Sequence, residues 1–327
     1  MAEEFKKRNV DNEDHMNLNS KNSKIYVQKK SGFVWRPVPT ILSTTLCFLI
    51  SGILFVAIGV ILLFLSNQIK EYGIRYDKYK ECDLSQNKTF SHKCNITLRI
   101  EDTLEAPIMV YYQLENFFQN HRRYIKSKSL AQLRGDNLTI DEIKADCDPI
   151  ITVKDLGFYK TIGGNLLKDD DIANPCGLIA KSLFNDTYRL FNSENKQIEI
   201  NENDITWDSD LNGRYKRNAN YNYTQWTDVE NQHFMVWMRP AGLPDFRKLW
   251  GRINQTLNPG NYIVEIDSNF PVHSFDGKKS FVLTTINILG GKNNFLGIAY
   301  LIVGSICLIM AILFWVGYHN FNSDKNK

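Results

Sequence analysis

The chain has 327 residues, 43% hydrophobic and 23% charged, with a formal net charge of +3. So small a charge, with no basic stretch interleaved with aromatics, argues against a nucleic-acid binder. The balanced average hides two apolar extremes, and these organise everything else.

Residues 1–30 are rich in Asn, Lys, Asp and Glu and poor in aromatics, the composition of a disordered tail. The opening run MAEEFKKRNVDNEDHMNLN has no apolar h-region, so a cleavable signal peptide is not expected. FVWRPVP (33–39) brings Trp35 and Arg36 to a bilayer surface, where an aromatic and a base are suited. Next, Ile41 to Leu65 (ILSTTLCFLISGILFVAIGVILLFL) runs 25 residues without a charge, and Phe295 to Tyr318 (FLGIAYLIVGSICLIMAILFWVGY) runs 24. A bilayer core needs roughly 20 apolar residues in a helix. We therefore expect a cytosolic tail and interfacial segment over 1–40, transmembrane helices over 41–65 and 295–318, and a short cytosolic tail over 319–327. The long loop 66–294 then lies on the opposite, luminal or extracellular side.

Flanking charge supports this only in part. Lys21, Lys24, Lys29, Lys30 and Arg36 precede the first span, but Lys70, Arg75, Lys78 and Lys80 follow it, and long loops translocate largely regardless of charge. Cysteines and glycosylation sequons carry the argument. Cys47 and Cys307 lie in the spans, whereas Cys82, Cys94, Cys147 and Cys176 lie in the loop, as do all six N-x-[ST] sites, at Asn87, Asn95, Asn137, Asn185, Asn222 and Asn254. Both features belong to an oxidising, secretory compartment. The first span then acts as an uncleaved signal anchor. Four cysteines allow three pairings. Loop closure favours neighbours, Cys82 with Cys94 and Cys147 with Cys176, each bridge contributing roughly 3–4 kcal/mol. A zinc site is disfavoured, because C-x-x-C is absent and His92, His121, His233 and His273 are scattered.

Within the loop, HFMVWMR (233–239), NYIVEI (261–266) and SFVLTTINIL (280–289) read as strands, being β-branched and aromatic. LENFFQNHRRYIKS (114–127) and PDFRKLWGRINQTL (244–257) read as helices; in the second, Phe246, Leu249, Trp250, Ile253 and Leu257 fall on one helical face. Residues 192–225 are polar and punctuated by Gly and Asn, so a surface excursion is expected there. The prediction is a β-rich α+β ectodomain held between two membrane helices.

No catalytic constellation stands out. QNHRRY (119–124) could grip an anion, though a structural helix with paired arginines is the simpler account. Asp169, Asp170 and Asp171 lack EF-hand spacing and suit a solvated turn. Nucleophile-elbow, Walker and zincin motifs are absent. The spans contain no Asp, Glu, Lys, Arg or His, the residues that mark ion paths in membranes. They do carry small residues every seven positions: Thr45, Gly52, Gly59 and Ser66, then Gly297, Gly304 and Ala311. Such a repeat keeps to one helix face and lets another helix approach closely, either the other span or a partner's helix.

Several blocks together resemble one family. VYYQLENFFQNHRRYIKS (110–127), NPCGLIAKSLFNDT (174–187), FMVWMRPAGLPDFRKLWGRI (234–253) and GKKSFVLTTINILGGKNNFLGIAYLIVGSIC (277–307) are similar to the cell-division-control protein 50 family, and WRPVPTILSTTLCFLISGILFVAIGVILL (35–63) more loosely so. This family is also called the ligand-effect modulator or transmembrane protein 30 family. Its members are non-catalytic accessory (beta) subunits of type IV P-type ATPases, the lipid flippases. The resemblance implies an antiparallel β-sandwich core with an added lobe, bridges Cys82–Cys94 and Cys147–Cys176, and a glycan at Asn185. It implies a larger ATPase partner that carries ATP hydrolysis and the lipid path, usually for an aminophospholipid such as phosphatidylserine. It also implies help in folding and exit from the endoplasmic reticulum toward Golgi, endosome or plasma membrane. No cofactor is implied. Where RTAALP is common in the family, this chain has RPAGLP (239–244), so the backbone there is expected to differ. A subunit of a two-span ligand-gated channel is the alternative, and a membrane-tethered luminal enzyme is a third.

Overall fold

The computed structural model describes residues 40–84, 92–288 and 290–325. The expected disordered tail, Trp35, Arg36 and the Asn87 sequon lie outside the described residues. The chain divides into two compact units. Residues 60–298 form one, and the helical segments up to Gly59 and from Ala299 form the other.

Helix α1 (Ile41–Asn67) starts where Thr40 and Ser43 cap each other. The Thr40 amide donates to Ser43 Oγ (3.1 Å) and the Ser43 amide to Thr40 Oγ1 (3.2 Å), which satisfies N-terminal donors that have no intrahelical partner. Three strands follow: β1 (Glu71–Arg75), β2 (His92–Ile100) and β3 (Ile108–Glu115). A lobe of short helices comes next: α2 (Arg122–Lys126), α3 (Leu130–Leu133), α4 (Ile140–Cys147), α5 (Val153–Leu156) and α6 (Leu178–Lys181). The chain then forms β4 (Thr187–Phe191) and β5 (Gln197–Ile198), followed by α7 (Asp208–Leu211), α8 (Tyr221–Thr224) and α9 (Gln232–Met238). Strands β6 (Phe246–Ile253), β7 (Gly260–Ser268) and β8 (Lys278–Thr285) lead to helix α10 (Asn294–Lys325).

The strands build two four-stranded sheets, β1-β8-β3-β6 and β2-β7-β4-β5, with every pairing antiparallel. Their apolar faces share one core. Val110, Tyr112, Phe281 and Leu283 come from the first sheet, and Ile96, Leu98, Tyr188, Leu190, Val264 and Ile266 from the second. Strand alternation explains the sorting. In β2, Cys94, Ile96, Leu98 and Ile100 are buried while Asn95, Thr97 and Arg99 face out. A separate small core in the lobe gathers Ile143, Cys147, Ile150, Leu156, Ala173 and Cys176.

Both α1 and the Asn294–Ser323 part of α10 are long and apolar enough to cross a membrane. Leu42, Ile50, Ile53, Ile61, Ile306, Ile309 and Ile312 are exposed along them. A soluble core helix would bury such a face, so lipid is the fitting solvent. Two membrane helices thus flank a central antiparallel β domain.

Four local expectations are corrected. The predicted helix over 244–257 is strand β6. Its apolar residues mimic helical spacing because alternation (Phe246, Lys248, Trp250 inward) is broken by a bulge opposite Val110/Tyr111, after which Gly251 and Ile253 are buried. The predicted strand over 233–239 is helix α9, with Phe234, Met235, Trp237 and Met238 buried at helical spacing. Its N-cap, Asn231, accepts from the His233 amide (2.8 Å). The predicted helix over 114–127 is strand β3 as far as Glu115. There Asn116 turns into the left-handed region (φ 61°), and a helix resumes only at Arg122. Residues 192–225 are more than a surface excursion: Ile198, Ile205, Asp210, Tyr215, Asn218 and Gln225 are buried. Most of that stretch is polar in sequence, and its burial depends on partners far away in the chain.

Candidate functional site

The disulfide-bonded lobe is built around NPCG. Cys147, the last residue of α4, bonds Cys176 with Cα atoms 5.7 Å apart; Cys82 bonds Cys94 at 5.4 Å. Gln132 reads both sides of the turn: its side chain donates to Ala173 O (3.1 Å) and accepts from the Cys176 amide (3.0 Å). Trp226 donates its indole N–H to Pro175 O (2.8 Å). Ser127 Oγ donates to Cys147 O (3.0 Å) and accepts from the Leu178 amide (2.8 Å). Gly177 closes the turn at φ 98°, ψ 165°, a conformation open essentially to glycine alone. A Cβ there would also meet Ser127 O at 2.1 Å. Trp237, from α9, reaches across to Ile179 O (2.8 Å), so the lobe is pinned to the sandwich core.

Beside the sequon Asn185-Asp186-Thr187 sits the most buried ion pair among the described residues. Parity along the strand leading into β4 turns Asn185 out and Asp186 in. Asp186 accepts from the amides of Asn269 (2.5 Å) and Phe270 (2.6 Å), from Tyr76 OH (2.6 Å) and from Lys279 Nζ (2.7 Å). Lys279 completes its shell with Ser268 Oγ (3.0 Å) and Phe270 O (2.7 Å). Both side chains are almost wholly shielded, at 2% and 0% exposure. Burial pulls the Lys279 ammonium below its ordinary pKa, with the Asp186 charge opposing. Burial likewise pushes Tyr76 and Tyr188 well up. Lys279 belongs to one sheet and Asp186 leads into the other, so the pair staples the sandwich. Asn95, Asn137, Asn222 and Asn254 are exposed, as Asn185 is.

In the helical unit, Gly52 and Gly304 face each other. A Cβ on Gly52 would lie 2.8 Å from Leu308 and 3.1 Å from Gly304 O, and one on Gly304 would lie 2.9 Å from the Val56 amide nitrogen. Phe48 stacks near Phe314 (5.6 Å between centroids), and Phe55 meets Tyr300 edge-on (5.8 Å). Thr45, Gly59 and Ala311 are buried as well. Where the two helices meet the β domain in sequence, a Cβ on Gly297 would lie 2.7 Å from Leu63, and Ser66 donates to Asn294 Oδ1 (2.6 Å). At Gly52, Gly297 and Gly304 a side chain would meet the facing helix.

A family model described as LEM3 (ligand-effect modulator 3) family / CDC50 family matches residues 62–324. The chain belongs to this family. Among similar proteins, "ALA-interacting subunit 3" of Arabidopsis thaliana is 40% identical over 294 residues, spanning 83% of this chain and 78% of that one. "Cell cycle control protein 50A" of Bos taurus is 34% identical over 331 residues, spanning 89% and 87%. "Phospholipid-transporting ATPase accessory subunit CRF1" of Saccharomyces cerevisiae is 38% identical over 246 residues, spanning 68% of this chain and 58% of that protein.

In this CDC50-family chain the structure separates the residues considered for chemistry. Arg123 lies 3.9 Å from Asp148 at the surface, and Gln119 is buried, accepting from the Ala241 amide (3.0 Å); QNHRRY is a brace between α2 and the 240s loop. Asp171 Oδ2 accepts from the Lys168 amide (2.7 Å), closing a turn. Among the described residues no group of three or more His, Cys, Asp and Glu side chains is placed to hold a metal. In the RPAGLP segment, Asn120 Nδ2 donates to Gly242 O (3.0 Å), and a Cβ on Gly242 would meet open space.

Sequence reasoning missed Lys248, Lys279, Asp186 and Asp210. Lys248 Nζ donates to the carbonyls of Val236 (3.0 Å), Trp237 (2.9 Å) and Arg239 (2.6 Å), closing the C-terminal end of α9. Burial pulls its pKa down to about 7, yet three carbonyl acceptors call for the three N–H bonds that only the ammonium has. Buried Asp210 accepts from Arg239 Nε (2.5 Å). One signal was readable: a lysine at an inward parity in an apolar strand, as in FRKLWGRI and KKSFVL, has to find a buried partner.

Proposed function

We infer that this chain is the accessory subunit of a phospholipid-transporting type IV P-type ATPase. The observation that carries the reading is likeness over 83% of the chain to a protein named as an ALA-interacting subunit and over 68% of it to one named as a phospholipid-transporting ATPase accessory subunit. The architecture supports it. Ion-free spans packed on each other leave no polar path of their own, and a doubly bridged, cross-stapled ectodomain makes a rigid surface for a partner. In this reading ATP hydrolysis and lipid movement belong to the ATPase, and the chain itself is non-catalytic. Its role is to help the partner fold, leave the endoplasmic reticulum and run its transport cycle. The lipid is an aminophospholipid such as phosphatidylserine. Both termini are cytosolic, and the ectodomain is luminal in the endoplasmic reticulum, Golgi and endosomes and extracellular at the plasma membrane. The two bridges and the exposed sequons, Asn185 foremost, serve secretory maturation, and the stripe glycines hold the helix pair for the partner.

The test is affinity isolation of the tagged full chain in mild detergent, with protein identification and lipid-stimulated ATPase assay of the eluate. Co-elution of a type IV P-type ATPase whose turnover rises with one phospholipid class is the expected result. Elution as a homo-oligomer without ATPase overturns it and sends the chain to electrophysiology as a channel subunit.

A further inference from the structure

The segment between β8 and α10 ends the ectodomain with INILGGKNN (286–294), and it presents isoleucine to solvent. Ile288 is fully exposed (102%) and Ile286 more than a third exposed. Scattered exposed apolar residues are normal; what singles these out is where they are held. Asn287 Nδ2 donates to the carbonyl of Leu65 (2.9 Å), the last apolar residue of the first span. Asn287 also exchanges backbone hydrogen bonds with Gly290 (3.1 and 2.9 Å), which makes a tight tip. The Asn293 amide donates to Ser66 Oγ (3.0 Å), and the Thr285 amide to Lys70 O (3.0 Å). The segment is thus fastened at two points to the end of α1, and at Thr285 to Lys70 just beyond it, within the same compact unit. The tether fixes its depth. Asn287 lies beside Leu65; Phe64 (64% exposed) precedes that residue near the end of the first helix, and Phe295 (79% exposed) stands in the first turn of the second. Roughly 5–7 Å of polar headgroup region covers each face of the hydrocarbon core, so a side chain adjoining the last apolar turn of a span lies within that zone. Exposed Lys292 follows in the same loop. A base beside apolar side chains is the composition that settles at an interface, the apolar part among acyl chains and the ammonium among phosphates.

We propose that Ile286, Ile288 and Lys292 form a lipid-contacting element: the two isoleucines insert into the luminal-side leaflet and Lys292 engages its headgroups, continuing the lipid-facing surface of the two helices. The occupant is the bilayer itself. A second protein would need a complementary groove, whereas lipid already surrounds Phe64 and Phe295 at this level. The inference rests on the two membrane spans and not on the identity of any partner subunit.

The test uses the full chain carrying Ile288→Cys, with Cys47→Ala and Cys307→Ala, labelled with an environment-sensitive dye. It is reconstituted in phosphatidylcholine–phosphatidylserine vesicles. Ile288 touches little protein, so this variant leaves packing unchanged. A Glu194→Cys variant, labelled on the exposed β4–β5 turn, is the aqueous reference. The expected result is quenching of the dye at 288 by phosphatidylcholine spin-labelled near the headgroup end of its acyl chain, and little quenching by iodide. The reference should show the reverse. Iodide quenching at 288 equal to that of the reference overturns the proposal. If lipid quenching at 288 vanishes once the catalytic partner is bound, a protein and not the bilayer covers the tip in the working complex, which overturns the assignment as well.

Discussion

Replacing Asp186 by Asn tests the inter-sheet staple with minimal change of shape, and it keeps the sequon, because any residue but proline can stand between Asn185 and Thr187. The substitution leaves Lys279 charged, buried and without its counter-ion, retaining only Ser268 Oγ and the Phe270 carbonyl. It also turns a carboxylate that accepts from two amides into a group whose nitrogen cannot accept. Breaking one partner of a buried pair costs about 3–5 kcal/mol. For a domain of this size each kcal/mol moves Tm by roughly 2–4 °C, so a fall of about 6–20 °C is expected. Lys279→Met should cost less, because Asp186 then keeps two amides and Tyr76 OH as donors. The double variant should lose about 0.5–3 kcal/mol less than the sum of the two single losses, since it strands no charge. The assay is thermal unfolding of the purified glycosylated full chain in detergent at a fixed scan rate, by near-ultraviolet circular dichroism. A fall under about 2 °C for Asp186→Asn, or losses that simply add in the double variant, would refute the reasoning, because both outcomes mean the pair is uncoupled.

Two further predictions follow from the glycines. Gly177→Ala should destabilise the lobe by more than about 3 kcal/mol, since a strained conformation alone costs of order 1–3 kcal/mol and the clash with Ser127 O adds to it. Gly164→Ala, also at positive φ but facing open space, should cost only about 1–2 kcal/mol; equal melting losses for the two would mean that the close approach at Gly177 is unimportant. In the spans, Gly304→Ala should loosen the helix pair more than Gly52→Ala. The first presses on the backbone of Val56, while the second meets the movable end of Leu308 and only brushes the Gly304 carbonyl. Cross-linking efficiency between cysteines placed on the two spans would show it, and the opposite order would refute the contact.

The architecture and family were legible in the sequence because their signals are long-range in count but local in chemistry. Twenty-odd uncharged residues need no knowledge of the rest of the chain to be read as a span. Four cysteines in one loop offered neighbouring pairs, which the two bridges join, and the matched blocks carried the family. Small residues permit close backbone approach irrespective of partner, and Gly52, Gly297 and Gly304 each stand where a Cβ would meet the facing helix.

Tertiary structure alone decided the rest. PDFRKLWGRI carries helical spacing and HFMVWMR passes for a strand. Pairing of β6 with β3 across a bulge fixed the first, and burial of α9 against the sandwich fixed the second. Local preference spans about 1 kcal/mol per residue at most apart from proline, less than burying one large side chain yields, so the core overrides it. Lys248, Lys279 and Asp186 read as surface residues until their partners, 9 to 110 positions away, are seen to satisfy them. No short window of sequence contains both ends of the longer bonds. The depth of Ile288 likewise depends on Asn287 reaching Leu65 across 222 positions. Sequence stated which residues were apolar, small or charged; only the folded chain decided which of them met.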